Sequence, residues 1–365
     1  MANDDVELTV GSRVYGGWEA IDITRSIESV AGCFSLTVSE RWPAQQVRAE
    51  VRQGDACKVS VGGVTVISGY VDDVEPSYDK GAHSVHVTGR DKTGDLVDCS
   101  APYIGFQRFS ADVVGLINDI CKPFGIPVTS QISGLKPVPE FAVHPGQTAF
   151  EAIGQLASFA AVLPMSDGNG SLILTRAGLA GSNAPLKLGG NILKGTGKFS
   201  AKDRHSDYTV LGQANGGDNI DPNMAIGGVG KAKDAGVTRY RPLVIIADFM
   251  AVGNDAYQQR AQWEATVRAG RAYYATYTVH GWHDANGRLW TPNALAPVSD
   301  DWLAFHDTLL ISSVHLSKSS SGTTAELTVT RKQSFELIPM PLGSGIYDAT
   351  PSGNSVAPPA SGGQQ

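Results

Sequence analysis

A chain of 365 residues that carries 42 Gly and 19 Pro is not a helical bundle or a coiled coil, because these two residues are the costliest in a helix interior. With 42% hydrophobic and 18% charged residues it can bury a large core in two or three domains, which excludes a wholly disordered chain. The net charge of −7 offers no general attraction for nucleic acid or for an anionic membrane.

At the N-terminus, MANDDVELTV is acidic and lacks the basic-then-apolar pattern of a leader, so synthesis in a cytoplasm is expected. No apolar run reaches the roughly 18 residues of a membrane helix. Residues 6 to 100 read as strands. In Cys33-Phe34-Ser35-Leu36-Thr37-Val38 apolar and small polar residues alternate. Gly62-Gly63 is a two-residue turn between Lys58-Val59-Ser60-Val61 and Val64-Thr65-Val66-Ile67, and Asp79-Lys80-Gly81 leads into the alternating His83 to Thr88. The expectation is an antiparallel sheet curled into a barrel or sandwich.

The character changes after Ser110, a candidate N-cap, where Val113, Ile117, Ile120 and Phe124 make one helical stripe that Gly125 and Pro127 stop. Thr148-Ala149-Phe150-Glu151 is a capping box, opening a helix towards Ala161 with Ile153, Leu156 and Ala160 inward. Asp167-Gly168-Asn169-Gly170 is a turn before the strand Ser171 to Thr175. Residues 212–236 are Gly-rich and polar and read as an exposed loop. A helix over 254–270, capped by Asn254 and carrying Tyr257, Ala261 and Glu264, feeds a strand from Tyr273 to Trp282. Asp284-Ala285-Asn286-Gly287 is a hairpin turn, and a last hairpin pairs Leu309–Leu316 with Ala325–Val329. The expected domains are 1–100, an α+β module at 101–180, a second β domain at 181–335, and a tail at 336–365 with no core of its own.

Tyr70–Arg90 and Leu310–Arg331 echo one another. Setting Val74 beside Val314 places Ser77 on Ser317, and two extra residues in the turn place Val85 and Val87 on Leu327 and Val329. If the echo is a duplication, the chain holds two related antiparallel β-barrels with the α+β module between them.

Catalytic patterns fail on inspection, so no catalytic, cofactor-binding or metal-binding residue is expected. Gly227-Gly228-Val229-Gly230-Lys231 resembles the end of a phosphate-binding loop, but Ala225 and Ala232 stand where a Gly and a magnesium-binding hydroxyl are needed. His83 with His86, and His280 with His283, are spaced to point to opposite faces of a strand. The pairs Asp72-Asp73 and Asp300-Asp301 read as solvated edges. Cys33, Cys57, Cys99 and Cys121 have neither disulfide nor zinc spacing and read as buried thiols. Trp18, Trp42, Trp263, Trp282, Trp290 and Trp302 read as core or interface residues.

Several stretches together resemble the baseplate hub proteins of contractile-tailed phages, above all those of Mu-like phages. They are Gly17-Trp18, Ile23–Glu28, Ala31–Leu36, Gly69–Asp72 and Gly89–Ser100, then Pro123–Ile126, Asp167–Gly170, Arg260–Glu264, Gly281-Trp282 and Gly287–Trp290, all in the family's order. The resemblance implies a homotrimeric ring in the virion baseplate, without enzymatic activity or cofactor. Each chain would contribute two tube-like barrels, so that three chains dock onto a hexameric tail tube above and a trimeric membrane-piercing spike below. Tail tube or distal tail protein, spike and neighbouring wedge proteins are the implied partners, with no sequence-specific nucleic acid and no stable membrane insertion. The alternative is a cell-wall-binding or peptidoglycan-degrading tail-tip protein.

Overall fold

The computed structural model describes residues 4–39, 51–80, 83–102, 108–213, 226–247 and 254–338. Trp42, Gly81 and residues 339–365 of the expected tail lie outside them. The first region is β1 (Val6–Val10), β2 (Arg13–Tyr15), β3 (Ala20–Ser26), β4 (Cys33–Ser39), β5 (Ala56–Val61), β6 (Val64–Tyr78) and β7 (His83–Asp91). The Gly62-Gly63 hairpin forms where its sequence places it, with Val61 facing Val64. In β7 the residues Val85, Val87, Gly89 and Asp91 face inward, the period-2 pattern of a half-buried strand.

Next come α1 (Gly94–Asp98), β8 (Arg108–Ala111), α2 (Val113–Cys121), β9 (Val128–Ser130), β10 (Val138–Phe141), α3 (Ala149–Ala160), β11 (Leu163–Ser166) and β12 (Leu172–Thr175). The α3 capping box is complete: Thr148 N–H donates to Glu151 Oε2 at 2.9 Å, and Glu151 N–H donates to Thr148 Oγ1 at 3.1 Å. Helix α2 corrects the expected start. Its N-cap is Asp112, whose carboxylate accepts from Gly115 N–H at 2.7 Å, while Ser110 belongs to β8 with φ of 49°. Both helices pack into a core that also takes in Val30 and Leu96.

The rest is β13 (Leu186–Lys187), β14 (Ile192–Phe199), β15 (Asp207–Gln213), β16 (Ile226–Lys233), β17 (Pro242–Ile246), α4 (Asp255–Arg271), β18 (Tyr273–His280), β19 (Leu295–Ser299), β20 (Thr308–Ser319) and β21 (Gly322–Thr330). The Gly-rich segment is therefore strand, not loop, at 212–213 and 226–233, and only 234–236 among its described residues form a turn. β16 pairs antiparallel with β15, and the phosphate-loop-like Gly228-Val229-Gly230-Lys231 lies within it. The glycines serve packing: a Cβ on Gly212 or Gly228 would fall 2.3 Å or 2.5 Å from the Tyr257 ring, and one on Gly230 would fall 2.0 Å from the Tyr257 carbonyl oxygen. Helix α4 lies directly on this small sheet. Asn254 does not cap α4 with its side chain; its Oδ1 instead accepts from Val229 N–H at 3.0 Å and ties the helix start to β16.

The two β regions share one sheet of 13 strands, ordered β14-β18-β21-β20-β3-β4-β7-β6-β5-β1-β2, with β13 and β19 branching from β20. Strands β3 and β20 join them, with Thr24 opposite His315 and Asp22 opposite Ser317. One apolar cluster runs through both regions, from Val6, Ile23 and Val87 to Ala275, Leu316 and Val329.

The echo seen in the sequence is exact in register. Val74 faces Val87 in the β6–β7 hairpin, and Val314 faces Leu327, each 240 residues on, in the β20–β21 hairpin. A bulge falls between Val71 and Asp73 in one and between Ile311 and Ser313 in the other. The hydroxyls of Ser77 and Ser84 meet at 2.7 Å, and those of Ser317 and Thr324 at 3.0 Å. The two turn residues allowed for in the sequence alignment are therefore not needed, and Val87 corresponds to Leu327.

Candidate assembly interfaces

The sheet and the α+β module meet at a charged joint. Asp91, at the end of β7, is buried, and its Oδ1 accepts from Thr93 N–H at 3.1 Å, while the Thr93 hydroxyl sits between Asp91 Oδ1 at 3.0 Å and Val30 O at 2.9 Å. Burial pushes the Asp91 carboxyl up, against hydrogen bonds from Thr93 and Ser166 and the field of Arg25. Burial also lowers Arg25, opposed by Asp91 and Asp167. The turn Asp167–Gly170 seats here. Its Gly168, at φ 81°, has no room for a Cβ, which would stand 2.6 Å from Val66 O and 3.1 Å from Arg25 Nη2. The Asp167 carboxylate holds the turn by accepting from Asn169 N–H at 2.7 Å and Ser171 N–H at 3.0 Å.

A second set of charges fixes α4. Glu264 Oε1 accepts from Arg260 Nη2 at 2.7 Å and its Oε2 from Arg268 Nε at 2.8 Å, with Arg260 stacked 4.9 Å above the Trp263 ring. Trp263 Nε1 donates to Glu336 O at 2.6 Å and so pins the chain beyond β21.

The 13-stranded sheet ends on β14 at one side and on β2 at the other, and β6 beyond its bulge has β7 on one side but no second strand among the described residues. Tyr78 on β6 is 85% exposed, and Leu193 and Phe199 on β14 are 61% and 53% exposed. β17 turns Val244 and Ile246 to solvent, and the Trp302 side chain stands free beyond β19. Large apolar side chains at open edges mark interaction surfaces.

The residues weighed in the sequence as chemistry have structural places. Asp72 accepts from Arg90 Nε at 2.7 Å, and Arg90 also reaches Asp98 at 2.8 Å, while Asp73 is exposed at the bulge. Asp300 is not a solvated edge. It is buried and accepts from Trp302 and Leu303 N–H at 2.9 Å and 3.0 Å, whereas Asp301 is exposed. His86 bonds Thr37 at 2.9 Å and His283 bonds Asp4 at 2.9 Å, and no three His, Cys, Asp or Glu converge among the described residues. Cys57 and Cys121 are buried, with thiols pushed up to about 12 by burial, but Cys33 and Cys99 are exposed, against the expectation. Trp18, Trp282 and Trp290 are core residues, Trp263 is half-buried and Trp302 exposed. In the turn at Asp284, burial works to raise the carboxyl, but N–H donors from Arg288, Ala184, Asn183 and Asn286 hold it below the usual range. The open edges were missed because Lys194-Gly195-Thr196-Gly197-Lys198 lacks apolar alternation. The 240-residue echo is the signal that locates them.

A curated relative, the baseplate hub protein gp44 of Escherichia phage Mu, is 34% identical over 322 residues, covering 86% of this chain and 84% of the relative. The chain belongs to the Mu-like baseplate hub family. Three family models match successive parts of this hub chain. The Mu phage baseplate assembly protein GpP-like N-terminal model covers residues 5–91, the baseplate hub protein gp44-like second domain covers 93–176, and the GpP fourth domain covers 254–338. The 43 kDa tail protein of prophage MuSo2 from Shewanella oneidensis superposes on the hub with a TM-score of 0.81 at 34% identity, covering 92% of this chain and 100% of that one. A tail protein from Neisseria meningitidis shares the fold, with a TM-score of 0.76 at 22% identity over 91% and 98% of the two chains.

Proposed function

We propose that the protein is the structural hub of a contractile phage-tail baseplate, a homotrimeric ring that joins a six-fold tail tube to a three-fold spike and lets DNA pass through its lumen. The observation that carries this reading is the repeat within one chain: two hairpins in the same register, bulged at the same place and embedded in one sheet. Three copies of a chain with two equivalent halves offer six equivalent surfaces on one side while keeping three-fold symmetry on the other. The mismatch between tube and spike is then resolved by packing alone, without a catalytic, cofactor or metal site.

In this reading residues 1–100 and 181–335 are the two tube-like halves, 101–180 is the module between them, and 336–365 is a tail available to the spike or a neighbouring hub subunit. Tube or distal tail protein, spike and wedge proteins are the partners, in a virion tail assembled in the host cytoplasm. The net charge of −7 supports a lumen through which DNA slides without counterion-releasing contacts. Native mass spectrometry of the full chain tests the reading. Three subunits are expected, six would favour a tube protein, and a monomer at tens of micromolar would overturn the ring.

A further inference from the structure

Strand β20 has two neighbours on one side. Before its bulge it pairs with β19, Leu310 facing Leu295, and after the bulge residues Ser313–Lys318 pair with β3. Strand β6, its equivalent 240 residues earlier, pairs before its bulge with β5, Tyr70 facing Ala56. After the bulge, residues Asp73–Tyr78 have β7 on one side and no strand on the other among the described residues. The strand that occupies this position in the second half is β3, and β3 has its own equivalent. Leu36 of β4 pairs with Val87 and with Ile21 of β3; Tyr277 of β18 pairs with Leu327, the equivalent of Val87, and with Gly195 of β14. So β14 stands to β18 as β3 stands to β4, and its outer edge is open as well.

We propose that the outer edge of β14 pairs antiparallel with residues 73–78 of β6 in a second copy of this chain, repeating the β3–β20 junction between copies. The inference rests on the ring reading above and supplies its contact. Transferring the observed register, Arg25–Val314, Thr24–His315, Asp22–Ser317 and Ile21–Lys318 become Phe199–Val74, Lys198–Glu75, Thr196–Ser77 and Gly195–Tyr78. A Lys then falls opposite a Glu, and one step beyond the ladder Lys194 falls opposite Asp79. The exposed Phe199 and Tyr78 both enter the contact. Pro76 falls opposite Gly197 and contributes no N–H there. Its ring nitrogen faces outward, so the β6–β7 ladder is spared, while the proposed junction lacks the one ladder hydrogen bond that an N–H at this position would give to Gly197 O.

The register can be read by cross-linking. Ile27 N–H donates to Ser312 O at 2.9 Å, so by alternation Asp22–Ser317 is a non-hydrogen-bonded pair, and so is the transferred Thr196–Ser77. Such pairs bring Cα atoms to about 4.5 Å, within disulfide range. The double variant Ser77→Cys with Thr196→Cys, treated with a mild thiol oxidant, is expected to give covalent trimer on a non-reducing gel. The yield should be at least ~10-fold that of Ser77→Cys with Lys194→Cys, which lies two residues out of register and beyond disulfide reach. Wild type and the single variants, which retain the exposed Cys33 and Cys99, control for other disulfides. Native mass is measured on the same samples. A trimer by mass with no covalent product overturns the edge pairing and leaves the ring reading standing; a monomer by mass overturns both.

Discussion

Asp91 sits where β7, the loop at Val30 and the module meet, and the surroundings that hold it also strain its charge. Burial is the largest influence and raises its pKa; the Thr93 and Ser166 hydrogen bonds and the field of Arg25 work the other way. A carboxyl whose pKa is higher folded than unfolded binds more protons when folded, so the stability it contributes is present in acid and is lost as pH rises through its folded-state value. Asn at this position can still accept from Thr93 N–H but carries no charge to desolvate. The melting-temperature advantage of wild type over Asp91→Asn is therefore expected to be largest in acid and to shrink as pH rises above the ordinary carboxylate range, levelling off once Asp91 is ionised in both states. Thermal melts from about pH 4 to about pH 8 check it. An advantage that grows with pH would mean that the Arg25 field outweighs burial.

At the scale of elements, what could be read from the chain was what is decided locally. The α3 capping box needs only Thr148 and Glu151, three residues apart, and the Gly62-Gly63 turn needs only its two flanking alternations, so both were legible. β16 was not, because its glycines remove the alternation by which strands are recognised, and the reason for them lies in Tyr257 on a later helix. The start of α2 was misplaced for a similar reason: Ser110 and Asp112 are both good caps, and the pairing of β8 with β10, which includes Ala111 opposite Val138, decides between them. Gly230→Ala tests the account of β16. The added methyl meets backbone at 2.0 Å, so α4 must shift off the sheet, and a loss of about 1–3 kcal/mol is expected in denaturant unfolding. An unchanged midpoint would mean that the helix is not seated as closely as the glycines imply.

For the whole molecule, the strand order holds two equivalent four-strand runs, β14-β18-β21-β20 and β3-β4-β7-β6, which meet at β3–β20, with β5, β1 and β2 continuing beyond β6. The two β regions and their echo were visible in the sequence, but their fusion into a single sheet was not, since long-range pairing leaves no local trace. The outer edge of β14 and the open part of β6 hold the places in these two runs that β3 and β20 hold at the internal junction. In the proposed ring Lys198 and Glu75 face each other three times, and each exposed pair is worth about 0.2–1 kcal/mol. Lys198→Glu replaces attraction by like-charge apposition at all three contacts, which is unfavourable directly across a ladder. Trimer dissociation, followed by sedimentation at graded concentration and low salt, is expected to move to higher concentration by about 10-fold or more for Lys198→Glu and for Glu75→Lys taken singly. Combining the two should restore wild-type assembly, and salt near 1 M should compress all the differences because the charges lie at the surface. If the double variant assembles no better than the singles, Lys198 and Glu75 do not meet, and the β14–β6 register is wrong even where a trimer forms.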